Sequence, residues 1–249
     1  MFWRRLVWLV LLGCLTPTAL YGDFLTPRAA DFASKYPPLT MVNGPQRRLL
    51  FGSYRGTLQL FESRNGKLVE VKTRELWSPV VRIYAADLDG DGQDEVVGYT
   101  QNARLFVLRG SDLQDIWNTP EKRFNSISAL TLGDVDDDGQ LEIVFIADNL
   151  LRFYTALQDV EEWKSTITFT NATEIAIGDV DGDGGLDIVL NSGIVLGAVF
   201  RDVKWTYTTG FGSRIDLYDI DSDGKLEIVG YGGDGLMRVF DVDERRLKW

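Results

Sequence analysis

Sixteen carboxylates recur in this chain as four copies of one pattern, Asp-x-Asp-x-Asp-Gly-x-x-(Asp/Glu). The sets are Asp87, Asp89, Asp91 and Glu95; Asp134, Asp136, Asp138 and Glu142; Asp179, Asp181, Asp183 and Asp187; and Asp219, Asp221, Asp223 and Glu227. Carboxylates at positions 1, 3 and 5 converge when the backbone coils tightly. The glycine at position 6 supplies the positive-φ turn that a side chain would resist. An all-oxygen set of three or four carboxylates suits a hard cation, and Ca²⁺ accepts this crowded, flexible geometry better than Mg²⁺. The expectation is four Ca²⁺, with all sixteen residues as ligands. An EF-hand loop opens the same way but needs a bidentate acid at position 12. That position holds Gly98, Phe145, Leu190 and Gly230, so the EF-hand is excluded.

The elements that must hold these acids are strands. Each closing acid at position 9 leads into a β-branched pair: Val96-Val97, Ile143-Val144, Ile188-Val189 or Ile228-Val229. An apolar run precedes each loop, at Val81–Ala86, Ile127–Gly133, Thr173–Gly178 and Arg214–Tyr218. Each acidic loop therefore closes a β-hairpin. The first aspartates lie 47, 45 and 40 residues apart. A period in the forties with several short strands per unit marks a propeller blade. A fourth strand ends near a tryptophan in each unit, at Trp117, Trp163, Trp205 and Trp249, and Trp77 extends that series back to an earlier unit. One tryptophan per blade is read as packing between blades. The first unit lacks the carboxylate set around Asn43-Gly44 and is expected to hold no ion.

These loops, with Phe211-Gly212-Ser213 before the last of them, resemble the FG-GAP (VCBS-type) repeats of integrin α-subunit propellers and of many bacterial surface proteins. The resemblance covers residues 36–249 and implies Ca²⁺ at the four acidic sets. It implies an all-β fold: a β-propeller of about five four-stranded blades, near 36–77, 78–120, 121–167, 168–209 and 210–249. Members of the family usually have seven blades. Because the chain ends on a fourth strand, closure as a five-bladed ring is expected over a ring completed by blades from elsewhere.

Composition narrows the function. The formal charge is −11, and the four loops hold 16 of the 37 acidic residues, so the acidity is largely metal-site chemistry. Nucleic acid would require a basic face and is excluded as a partner. No histidine is present, which removes the commonest general base and every Ser-His-Asp arrangement. The reading is a non-catalytic, Ca²⁺-stabilised surface module or scaffold that binds a protein or glycan at an envelope. The alternative is a Ca²⁺-dependent carbohydrate-active enzyme, a polysaccharide lyase or a glycosidase. In antiparallel blades the turns alternate between the two faces. Arg55, Tyr99 and Phe124 then fall on the face opposite the acidic hairpins and are the expected partner-binding residues, since aromatics and Arg dominate binding hot spots.

The N-terminus reads Met1-Phe-Trp-Arg4-Arg5, then an apolar run to Leu12, then Gly13-Cys14. A charged start followed by a short apolar stretch makes a secretory signal. Leu11-Leu12-Gly13-Cys14 resembles a bacterial lipobox in which Cys14 is lipidated. Residues 1–14 are thus expected to be a signal or lipoprotein-like segment and 15–35 a tether, with the protein secreted or membrane-anchored outside the cytoplasm. If Cys14 carries a lipid anchor, Cys14→Ser releases the protein from membranes into the soluble extracytoplasmic fraction. Fractionation and immunoblotting of the two forms measure this, and unchanged membrane retention would contradict lipidation.

Overall fold

A computed structural model describes residues 38–249. Cys14, the signal-like segment and the tether lie outside the described residues. The rest forms five antiparallel four-stranded sheets, each made of strands consecutive in the chain. Blade 1 is β1 (Leu39–Val42), β2 (Arg48–Gly52), β3 (Thr57–Arg64) and β4 (Lys67–Glu75). Blade 2 is β5 (Val80–Ala86), β6 (Glu95–Thr100), β7 (Leu105–Arg109) and β8 (Asp115–Asn118). Blade 3 is β9 (Ile127–Gly133), β10 (Glu142–Ala147), β11 (Leu150–Thr155) and β12 (Glu161–Lys164). Blade 4 is β13 (Ile175–Gly178), β14 (Asp187–Leu190), β15 (Ile194–Gly197) and β16 (Val203–Thr206). Blade 5 is β17 (Arg214–Tyr218), β18 (Glu227–Tyr231), β19 (Met237–Asp241) and β20 (Arg246–Leu247). The strand pattern read from the sequence is therefore present blade by blade.

The second strands are apolar almost throughout because both of their faces are covered. Every residue of β6, β10 and β14 is buried. Alternation of side chains along a strand divides each of them between two cores. In β10, Ile143, Phe145 and Ala147 pack towards blade 2, while Val144 and Ile146 pack towards blade 4. In β14, Ile188 and Leu190 join the core shared with blade 3, and Val189 joins the core shared with blade 5. A one-residue slip would swap these faces, so each core fixes the register of the next blade. Phe145 shows how tightly the blades interlock: its ring meets Tyr154 and Phe124 edge-on, with centroids 5.0 and 5.6 Å away.

Four such cores join blades 1–2, 2–3, 3–4 and 4–5. Among the described residues, no fifth core joins blade 5 to blade 1. A cavity of about 1140 Å³ opens there and along the inner strands, lined by Leu39 of blade 1, Arg82 and Tyr84 of blade 2, Glu174, and Asp219, Tyr231 and Met237 of blade 5. Among the described residues the expected five-bladed closure is therefore not sealed by a core, and the blades form an arc with a seam between blades 5 and 1. Across the inner end of the arc, Arg82 of β5 holds Glu174 before β13 through two hydrogen bonds of 2.6 and 2.8 Å, tying blade 2 to blade 4.

The tryptophan series splits. Trp117 is buried and its indole N–H donates to Ala156 O of blade 3 at 2.9 Å. Trp163 stacks near Phe153 and lies under Arg201 of blade 4, and Trp205 sits in the core shared with blade 5. Trp77 does not belong with them. It lies beyond β4 with φ +62° and is 85% exposed, while Leu76 enters the core. Trp249 is also exposed. Trp117→Ala should therefore lower stability by about 3–5 kcal/mol and Trp77→Ala by less than about 0.5 kcal/mol. Urea denaturation of both variants measures the difference; equal losses would contradict this placement.

Candidate metal centres

The acidic hairpins join the first and second strands of blades 2 to 5. In each, the position-1 aspartate organises the turn. Its Oδ2 accepts the N–H of the position-6 glycine, from Gly92, Gly139, Gly184 and Gly224, at 2.9 to 3.1 Å. Those glycines have φ between +82° and +89°, and a Cβ on any of them would meet nothing within 4 Å. Conformation rather than space demands glycine there. Position 4 is left-handed as well, at Gly90, Asp137, Gly182 and Ser222, a strain the sequence pattern does not advertise.

The position-9 acid is the anchor. Glu95, Glu142, Asp187 and Glu227 each open a second strand and are at most 4% exposed. One oxygen of each accepts the backbone N–H of the position-2 residue: Leu88, Val135, Val180 or Ile220, at 2.8 to 3.2 Å. This bond locks the loop over the strand and turns the carboxylate towards its neighbours. In all four loops, ligand oxygens from positions 1, 3 and 9 lie within 4.8 Å of one another: Asp87, Asp89 and Glu95; Asp134, Asp136 and Glu142; Asp179, Asp181 and Asp187; Asp219, Asp221 and Glu227. The position-5 aspartates stay outside these triads. Asp91, Asp138, Asp183 and Asp223 each accept the N–H of position 7 at 2.8 to 2.9 Å, bracing the turn. The structure thus converges twelve of the sixteen expected ligands.

Three convergent carboxylates, one of them buried, are costly without a cation. Burial pushes the Glu95 carboxyl up, and Asp89, Asp91 and Asp87 add to the shift against the Leu88 hydrogen bond. Burial pushes Glu142 up to about 7, with Asp136, Glu162 and Asp138 adding and the Val135 hydrogen bond opposing. No lysine or arginine among the described residues forms an ion pair with either triad. Blades 4 and 5 differ. Lys204 Nζ stands 2.9, 2.7 and 2.8 Å from Asp181, Asp183 and Asp187. Lys248 Nζ stands 2.5, 3.2 and 3.2 Å from Asp221, Glu227 and Asp241. Burial works against the Lys204 ammonium, yet its three carboxylates hold its pKa above the usual lysine value. Asp221 is held low by Lys248. The donor sets of blades 2 and 3 fit a hard cation as they stand.

Blade 1 inverts the arrangement. Arg48 opens β2 where the other blades have the acid, and it binds the buried Glu62 across the sheet at 2.7 Å. Its first hairpin, Asn43 to Arg47, carries no carboxylate. Its Asn43 instead donates from backbone and side chain to Asp94 Oδ2 of blade 2, at 2.7 and 2.9 Å.

The opposite face is built as the alternation of turns requires. Turns between second and third strands hydrogen-bond to the connections between blades, as in Phe169 N–H to Asn149 O and Phe211 N–H to Asn191 O. Of the three residues expected to meet a partner there, Arg55 is exposed in the β2–β3 turn. Tyr99 and Phe124 are corrected: they are 3% and 5% exposed and belong to the core between blades 2 and 3. Tyr99 lies within β6 on the face of Val97, and Phe124 turns inward against Phe145.

The FG-GAP-like repeat matches this chain at residues 87–145 and 134–190, each match running from an acidic loop through to the next blade's second strand. Similar solved structures are BamB from Moraxella catarrhalis (16% identity, TM-score 0.55) and Saccharomyces cerevisiae Sqt1 (13% identity, TM-score 0.63). They align with 81% and 82% of this chain, which spans 57% and 58% of theirs. A third is BBS1N in complex with ARL6DN, at 12% identity and TM-score 0.63, covering 88% of this chain and 69% of that one. No curated protein matches in sequence. The chain is a β-propeller carrying FG-GAP-like repeats.

The two kinds of triad respond oppositely to neutralisation. In chelator, Glu142→Gln keeps an acceptor for Val135 and relieves repulsion, so it should raise stability by on the order of 1 kcal/mol. Burial pushes the Asp187 carboxyl up as well, but there the Lys204 and Val180 hydrogen bonds oppose it; Asp187→Asn leaves the half-buried Lys204 ammonium short of a counter-charge and should lower stability. Thermal melts in EGTA read both, and loss of stability in Glu142→Gln would contradict the electrostatic account.

Proposed function

We propose that this chain is a non-catalytic, Ca²⁺-stabilised propeller that works outside the cytoplasm, at an envelope, as a module binding a protein partner. Propellers with FG-GAP-like repeats suggest a binding or scaffold role, and one similar structure holds a protein partner, ARL6DN. The charged and apolar N-terminal run supports an extracytoplasmic address. Calcium there is abundant enough to fill even weak sites of about 10⁻⁴–10⁻³ M.

The observation that carries the reading is the seam cavity. Its lining mixes aromatic and aliphatic side chains, among them Tyr231 at 50% and Met237 at 70% exposure, with the charged Arg82, Glu174, Arg214, Asp216 and Asp219. Its Glu174 is engaged by the two nitrogens of Arg82, and its Asp216 by the Tyr218 hydroxyl at 2.8 Å. Carboxylates so engaged are poor candidates for paired acid–base work on a glycosidic bond. A lining that combines aromatic and aliphatic side chains with charges held by neighbouring side chains suits a protein segment.

A photo-crosslinking residue at Met237, on the seam, is expected to give a discrete protein adduct in source envelope. The same residue at Lys67, in the outer turn of blade 1, is expected to give none. In parallel, a polysaccharide panel with Ca²⁺ should yield neither reducing ends nor unsaturated products. Such products would make the chain an enzyme, and equal crosslinking at both positions would remove the seam from the account.

A further inference from the structure

The fourth strand of each blade carries a β-bulge, and in blades 2 to 5 the extra residue falls beside the acidic hairpin. In blade 2, Val107 pairs with Trp117 and Leu108 with Asp115, leaving Ile116 extra. The same skip leaves Glu162 in blade 3, Lys204 in blade 4 and Val71 in blade 1. In blade 5, Lys248 N–H and Trp249 N–H both donate to Val239 O, at 2.7 and 3.2 Å, so two residues oppose one there too and Lys248 is the extra residue. A bulge re-aims a side chain out of the regular alternation. Here it aims at the carboxylates: Ile116 lines a cavity of about 370 Å³ with Asp89, Asp91 and Glu95, and Lys204 and Lys248 reach their triads directly.

We propose that this bulge residue decides what neutralises each loop. Lys204 and Lys248 are built-in cations that take the place of Ca²⁺ in blades 4 and 5. Blades 2 and 3, with Ile116 and Glu162 at the same position, bind the ion, so the chain binds two Ca²⁺ rather than four. This rests on the reading that the loops of blades 2 and 3 are calcium sites.

The geometry makes ammonium and metal ion alternatives. An ammonium has three N–H donors, and each of the two lysines has three carboxylate partners. Lys204 has Asp181, Asp183 and Asp187; Lys248 has Asp221, Glu227 and Asp241. Two partners of each lysine are triad members that a Ca²⁺ would bind at about 2.3–2.6 Å. An ion there would stand within van der Waals reach of a like charge. Expelling the lysine would break three ion pairs and expose a side chain that is 18% accessible in Lys204 and 12% in Lys248. Blade 3 shows the opposite case, since Glu162 adds negative charge beside Glu142 and favours a divalent ion.

The test is calcium stoichiometry of the full chain after chelation, by calorimetric titration and native mass spectrometry, with melts in EGTA and in Ca²⁺. Wild type is expected to bind two ions, Lys204→Met three, and the Lys204→Met/Lys248→Met double variant four. Lys204→Met should melt lower than wild type in EGTA and recover in Ca²⁺. Ile116→Lys works in the other direction, lowering the count to one without lowering the EGTA melt, so the proposal stays testable if a lysine variant fails to fold. Four ions in wild type, or an unchanged count in the lysine variants, would overturn the proposal while leaving the calcium reading intact. No bound ion in wild type would overturn the calcium reading and the proposal with it.

Discussion

Each blade hangs on one charged residue at the mouth of its second strand. In blades 2 to 5 that residue is a buried carboxylate whose hydrogen bond to the position-2 N–H clamps the hairpin onto the sheet. A charge so placed demands a partner, because an unpaired buried charge is among the most damaging features a fold can carry. Blade 1 meets the same constraint with the sign reversed, through Arg48 and Glu62. Blades 4 and 5 meet it with a lysine on the fourth strand. Blades 2 and 3 have no side-chain cation paired with their triads among the described residues, and on the proposed reading an ion fills that place. Five copies of one architecture thus contain three solutions to a single electrostatic problem.

The clamp matters beyond its hairpin because the second strand is the most shared element of each blade. Its alternating faces feed two inter-blade cores, so a loosened loop releases packing on both sides. The hairpins are also joined laterally, as Asn43 of blade 1 binds Asp94 of blade 2. Energetically this resembles a repeat array, in which stability is a sum of unit terms and nearest-neighbour interfaces. The seam is where that sum lacks a term: among the described residues no core joins blade 5 to blade 1, and a cavity with apolar and charged lining lies in the gap.

Most of the fold was legible in the sequence for a physical reason. The carboxylate loops demand fixed positions, so Asp87, Asp134, Asp179 and Asp219 marked the repeat, and the β-branched pairs after each closing acid marked the second strands. The convergence of positions 1, 3 and 9 was legible to the same degree; the bonds by which the position-5 aspartates brace the turn were not, because they depend on backbone donors that a pattern of acids cannot show. Trp77 misled because even spacing imitates register: the position after the bulge, held by tryptophan in blades 2 to 5, is Lys72 in blade 1, and it is Leu76 that enters the core. Tyr99 and Phe124 misled because a turn assigned one or two residues early places a core aromatic on the surface. Lys204 and Lys248 each precede a tryptophan, a signal visible on aligning the repeats, but its meaning appears only once the bulge is known.

The three solutions are distributed unevenly along the chain. Among the described residues blades 1 and 5 each share a core with one neighbour only, and in both the neutralising charge is covalently attached, through Arg48 and Lys248; blade 4, packed on both sides, carries Lys204 as well. Lys248 also reaches Asp241 of β19, which ties the short last strand into its sheet. Blades 2 and 3 flank the core containing Phe145, Tyr154 and Trp117 and are gripped from both sides. If these two triads hold calcium as proposed, their occupancy follows the surrounding calcium, and an ion there would strengthen the middle of the arc by mass action. Calcium would then act on the region that holds the two halves in line, while Lys248 keeps the charge balance of the last blade at any calcium level.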